Sequence, residues 1–244
     1  NQGKLLGLGL LCQKTKHVLF NSFAIKQLWL HKYGDEVVDQ TWIEHNDFLL
    51  DKNHEDATRK ALLEYIKSCL TPTWHEFYMG MSQQSQLSKF EALLGSYRTI
   101  VASPDFSVDL TSIQDVTQYL ASLSKNTRSQ INRSQKLLSQ LGDMKLVTAK
   151  TEQEKKSFFE QISLFHQNKW RNTELGSGFD NSIFVNFHKS IIFKDINNDY
   201  SDIYALKLND ETLALLYILK TQDTWYFYLS GIDTHPDNKI KIGL

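Results

Sequence analysis

Three runs near the C-terminal end of the sequence limit the fold most. Residues 203–208, 212–220 and 224–230 are rich in β-branched, aliphatic and aromatic side chains. Asn209-Asp210 separates the first two and Gln222-Asp223 the next two. Strand-like runs joined by such short turn signals predict an antiparallel meander, each strand beside the one before it. Upstream lie a strand at 144–149, a long helix over 151–170, a Gly-Ser-Gly break at 176–178 and a helix over 181–193. Phe158, Ile162 and Phe165 line one side of the long helix. Strand, two helices, then three strands define an α+β unit.

The first half alternates in a looser way. Apolar runs at 4–12 and 17–23, joined by the polar residues 13–16, predict a hairpin. Gly7 and Gly9 lack the spacing of a phosphate-binding loop and read as small residues within a strand. A strand is expected at 27–32 and a helix over 54–70, ended by Pro72. That helix is expected to turn Ala57, Ala61, Leu62, Tyr65 and Ile66 inward. A strand at 75–82, a short helix at 87–94 and extended segments near 97–102 and 106–110 complete this half.

The residues between 123 and 141 join the halves. Ile131, Leu137, Leu138 and Leu141 share one side of a helical wheel, while Lys125, Arg128, Arg133 and Lys136 spread over the other. No acidic residue occurs between Asp115 and Asp143. Ser124 suits the N-cap and Gly142 the stop. The cationic face reads either as a solvated surface or as an anion-binding one. The expected division is 1–122, a basic connecting helix over 123–142, and 143–244.

Bulk composition narrows the class. The 244 residues carry a formal net charge of −1, so no overall field draws the chain to nucleic acid or membrane. Cys12 and Cys69 form no disulfide framework and have no metal-ligand spacing, which fits a reducing, cytoplasmic setting. No apolar run reaches transmembrane length. The cluster Glu44, His45, Asp47, Asp51 and His54 matches no metal motif, and no metal is expected. The sequence starts without Met and reads as a segment lacking both ends.

Several motifs acquire meaning together. Residues 122–128 (Ser-Leu-Ser-Lys-Asn-Thr-Arg) with Arg133, residues 166–170 (His-Gln-Asn-Lys-Trp) and residues 226–233 (Tyr-Phe-Tyr-Leu-Ser-Gly-Ile-Asp) stand in a suggestive order. In that order and spacing they resemble the GNAT-like acetyltransferase domain of the CelD type, a family related to the FemAB aminoacyl transferases. Asp39, Ile43, Glu44, Asn46 and Asp47 resemble that family's first-half pattern. The resemblance implies an α+β architecture of tandem GNAT-like mixed sheets with flanking helices. It implies acyl transfer from acetyl-CoA or another acyl-CoA to an amine or hydroxyl, on a sugar or a cell-envelope polysaccharide precursor.

The same resemblance assigns roles. Backbone amides at Leu229, Ser230 and Gly231 would hold the thioester carbonyl. Lys241 and Gly243 would open a pyrophosphate loop, although the sequence stops before that loop's second small residue. His166, Glu44, Tyr228 and Asp233 are the candidate proton-transfer groups; Asp39, Asn46, Trp170 and the four cations at 125, 128, 133 and 136 are candidate acceptor contacts. On residue chemistry alone His166 reads equally as a half-buried core histidine, and Tyr217, Tyr226 and Tyr228 as strand residues. Two rivals remain open: a FemAB-like transferase using aminoacyl-tRNA, and a GNAT-like scaffold that binds without catalysis.

Overall fold

A computed structural model describes residues 3–20, 22–41, 43–70, 74–173, 176–193, 200–233, 237 and 239–243. The chain divides into two compact units, Asn1–Pro104 and Asp105–Leu244.

In the first unit, β1 (Gly7–Leu8) pairs antiparallel with β4 (Leu49–Leu50). A second sheet has the order β2 (Leu11–Val18), β3 (Phe23–Leu30), β5 (Glu76–Tyr78), with β3 and β5 parallel. Against it lie α1 (Glu55–Cys69) and α2 (Gln84–Leu94), which close a core of Leu28, Leu30, Phe48, Leu63, Ile66 and Phe90. The hairpin is present, but its turn differs from the expectation. Residues 13–16 lie inside β2, and the chain reverses over 19–22, closed by the Ser22 N–H donating to Leu19 O at 3.0 Å. The polar run misleads because this end of the ribbon is exposed on both faces, so no apolar alternation is required of it. Residues 27–30 belong to β3 and form no separate strand.

Helix α1 is rotated from the expected face. Leu63, Ile66 and Arg59 are buried, whereas Ala57, Ala61 and Tyr65 are exposed. Arg59 is the reason: its guanidinium pairs with Asp47 and with Glu55 at 2.7 Å, and it lies 5.7 Å from the centre of the Phe90 ring. A paired arginine can be buried where periodicity allots only apolar residues. Pro72 lies outside the described residues, and residues 97–102 and 106–110 form no strand.

The second unit follows the expected order closely. Helices α3 (Val116–Ser122) and α4 (Lys125–Leu141) precede β6 (Met144–Thr148), α5 (Glu152–Trp170) and α6 (Ser182–Phe193). Then come β7 (Ser201–Leu208), β8 (Glu211–Lys220) and β9 (Trp225–Ile232). Among the described residues the sheet has the order β6-β7-β8-β9 and is antiparallel throughout, not mixed. Local chemistry sets the boundaries. Ser124 Oγ accepts the Thr127 N–H at 3.1 Å, Thr151 and Glu154 form a reciprocal capping box, and the Gly142 N–H closes α4 onto Leu138 O. The turn at Asn209 (φ 55°) is clamped by paired bonds to Asp143.

Helices α5 and α6 cover one face of this sheet, burying Phe158, Phe159, Ile162, Phe184, Ile192, Ile203, Leu215 and Tyr217. A bulge lets Tyr217 pair with Leu229 and Ile218 with Phe227, leaving Tyr228 as an extra residue in β9. Tyr228 and Leu229 therefore both reach the helix-covered face. Gly231 permits the close approach of α5: a Cβ there would lie 3.1 Å from Ile162 Cα and from Phe165 Cβ. At another corner, Leu138 of α4 packs with Leu213 and Ile240, and the Lys241 N–H donates to Ser134 Oγ at 2.9 Å. Leu141, expected on the inner face of α4, is largely exposed. No helix among the described residues is long and apolar enough to cross a membrane.

Candidate active site

His166 and Trp170 stand one turn apart near the C-terminal end of α5, their rings 5.9 Å apart. The half-buried imidazole contacts Phe179 edge-on at 5.4 Å, and its Nδ1 lies 2.8 Å from Ser177 Oγ. Ser177 is itself buried in the tight turn Gly178–Asp180 that opens α6. Its Oγ accepts the Phe179 N–H, while Asp180 accepts the Ser177 N–H and, at 2.8 Å, a proton of Gln167. Burial and then the nearby Lys169 push the His166 pKa down; Asp180 opposes them. The ring is therefore neutral near pH 7. In the tautomer that donates Nδ1–H to Ser177, Nε2 keeps its lone pair.

A continuous series of ring contacts leads inward from there. Phe179 meets Phe184 at 5.4 Å, Phe184 meets His188 at 4.4 Å, and His188 meets Tyr228 at 4.9 Å and Tyr217 at 5.6 Å. His188 and Tyr217 are sealed from solvent, and among the described residues neither His188 nitrogen nor the Tyr217 hydroxyl has a hydrogen-bond partner. Burial alone depresses the His188 pKa to about 4. Burial, with Tyr228 beside it, raises that of Tyr217. The result is a neutral imidazole and a neutral phenol lining the floor beneath Tyr228.

His166 and Trp170 thus lie on α5, while Tyr228, Leu229, Ser230 and Gly231 lie in β9, which packs on α5 at Gly231 and is linked to His166 through Phe179, Phe184 and His188. Among the described residues β9 pairs only with β8, so alternate amides of this edge point away from the sheet. Asp233 follows β9 and donates its N–H to Leu213 O. Lys241 and Gly243 lie in the segment docked on α4, where the Lys241 amide is already bonded to Ser134. Lys125, Arg133 and Lys136 are exposed along α4, while Arg128 folds back to the carbonyls of Ala121 and Leu123 at 2.7 and 2.9 Å.

The first-unit candidates sit in their own setting. Asp39 accepts backbone N–H groups from Tyr33, Gly34 and Asp35. Asn46 is buried, its amide nitrogen donating to Leu30 O at 2.8 Å and to Met79 O, its oxygen 3.1 Å from His31 Nδ1. Both organise loops. Glu44 is exposed. Among the described residues no group of three or more His, Cys, Asp or Glu is placed to hold a metal.

Ser177 and His188 escaped the sequence reading. A signal existed for His188: Phe184, His188 and Ile192 follow at i, i+4, i+8, which puts the histidine in phase with the buried stripe of α6.

Residues 125–243, from the first residue of α4 to the docked tail, match the family model of the acetyltransferase (GNAT) domain. The match supports a GNAT acetyltransferase domain within the second unit, and with it a transferase. No curated protein matches the chain.

Proposed function

We propose that the second unit transfers an acyl group from acyl-CoA to an amine or hydroxyl, on a sugar or cell-envelope precursor. The observation that carries this reading is the coincidence of the acetyltransferase (GNAT) match with the β6–α5–α6–β7–β8–β9 unit, to which both His166 and Tyr228 belong. The acceptor nitrogen or oxygen attacks the thioester carbonyl, forming the new C–N or C–O bond. Its proton passes to His166 Nε2, and outward amides of Leu229–Gly231 stabilise the oxyanion. The C–S bond then breaks, and the departing thiolate takes a proton from Tyr228, which is restored from protonated His166 through solvent. Trp170, beside the base, supplies an apolar wall for the acceptor.

The test is thiol release from acetyl-CoA and a longer acyl-CoA across an acceptor panel. His166→Gln should lower the rate by about a hundredfold or more, with Tyr228→Phe less severe. Rates unchanged in both variants would remove these roles. Absence of acyl-CoA binding by calorimetry at millimolar ligand would remove the reaction.

A second reading has its own support. Lys125, Arg133 and Lys136 are exposed on a helix without a single acid. This favours a transferase that uses aminoacyl-tRNA; binding of tRNA that falls steeply with salt, in place of acyl-CoA binding, would establish it.

A further inference from the structure

The β2–β3 hairpin outreaches its sheet. Strand β5 pairs with β3 only at residues 27–29 and His75 bonds Lys26, so among the described residues the ladder from Lys16↔Ile25 to Val18↔Phe23 has no third strand. Its tip is apolar and uncovered: Leu19 is 68% exposed, Phe20 104% and Phe23 61%. Leu19 and Phe20 also hold positive φ, 52° and 53°, a conformation suited to Asn or Gly and unfavourable to bulky side chains. A folding requirement would place small polar residues here, so both the strain and the exposure point to a contact made by the tip.

Charge identifies the contact. No Asp or Glu precedes Asp35, while Lys16, His17 and Lys26 are exposed on the shaft. Glu76 lies within Coulomb reach of Lys16, but its Oε2 already accepts from Gln27 and Tyr78. Lys16 stands two rungs behind the last pair and Lys26 three, about 7 and 10 Å at strand spacing. An apolar tip with cations that far behind it matches the depth at which interfacial segments cross from acyl chains to headgroups, roughly 5–10 Å. We propose that the hairpin tip inserts Leu19, Phe20 and Phe23 into the surface of an anionic lipid bilayer, with Lys16 and Lys26 on the headgroups. One tip and two cations give weak, reversible attachment that holds the protein at a membrane surface without spanning it.

The experiment is vesicle flotation of the 244-residue chain on phosphatidylcholine alone and on mixtures rich in phosphatidylglycerol, at low and high salt. Binding is expected on the anionic vesicles, falling as salt rises. Leu19→Asn with Phe20→Gly suits the backbone of the turn and should keep thermal stability while weakening binding about tenfold or more. Lys16→Glu with Lys26→Glu should weaken it by about fivefold or more per site and flatten the salt dependence; this pair also decides the matter if the tip variant misfolds. Acyl-CoA binding should not change in either. No flotation on anionic vesicles, or equal flotation of the tip variant, overturns the proposal. So does a self-association that the tip variant abolishes without any vesicle binding, which would assign the tip to a second copy of the chain.

Discussion

Asn46 in the first unit and His188 in the second are equally hidden from water, yet they are treated in opposite ways. Every polar atom of the Asn46 amide faces a partner: two carbonyls on its nitrogen and His31 on its oxygen. His188 meets only rings, and among the described residues both its nitrogens are left over, as is the neighbouring Tyr217 hydroxyl. Each such orphan costs about 1–3 kcal/mol against a satisfied group. A fully bonded amide ties a loop to a sheet, and its value is structural. A polar pair left unsatisfied beneath Tyr228, two rings inward from His166, is held at a cost in stability that the packing around it must offset.

Acid should expose the contrast most strongly. The unfolded chain protonates a histidine near pH 6.5, whereas folded His188 resists until about pH 4. Below pH 6.5 the unfolded state therefore binds the extra proton first. The second unit should hold its stability above that pH and lose about 3 kcal/mol as the pH falls toward 4. His188→Phe should abolish this part of the acid sensitivity while leaving stability at pH 7 equal or higher, as urea unfolding at several pH values would register. Asn46→Ala should cost the first unit about 2 kcal/mol already at pH 7, because two carbonyls lose their donor and His31 its partner.

A smaller effect sharpens the packing side. Gly231→Ala sets a methyl group against α5 backbone and should cost about 1–2 kcal/mol, with acyl-CoA binding falling in parallel, measured by thermal unfolding and calorimetry on one preparation. The smallest belongs to α4. Replacing Lys125, Arg133 and Lys136 by Ala should change stability by about half a kcal/mol or less each, since these side chains lie on the exposed face.

The second unit was far more legible than the first, for a physical reason. Its elements carry their own boundary signals: Ser124, Thr151 with Glu154, the Asn209 turn, and apolar stripes in phase with each helix. Each of these acts within a few residues of itself. The first unit is governed by pairings distant in sequence. Arg59 is drawn inside by Asp47, and Asn46 by Leu30 and Met79, so the local pattern misassigned the face of α1. The hairpin turn was misplaced because Leu19 and Phe20 violate turn chemistry. At the candidate site, His166, Trp170 and Tyr228 were named through the family resemblance, since residue chemistry alone fits core positions as well. Ser177 was not, because its partner lies across a tight turn, and His188 was passed over as one polar residue in an apolar helix.

The extra residue at Tyr228 acts on β9 as a frameshift acts on a message. Trp225 and Phe227 look outward, and simple alternation would then send Leu229 and Gly231 outward too. The inserted position resets the phase, so Leu229 enters the core and Gly231 arrives under α5, where a side chain would press on Ile162 and Phe165. Deleting Tyr228 would remove the bulge and leave a regular ladder, with Leu229 and Gly231 still on the helix-covered face. The strand thus takes up one extra residue at Tyr228 while the pairs on either side keep their register, and both Tyr228 and Leu229 turn toward the helices.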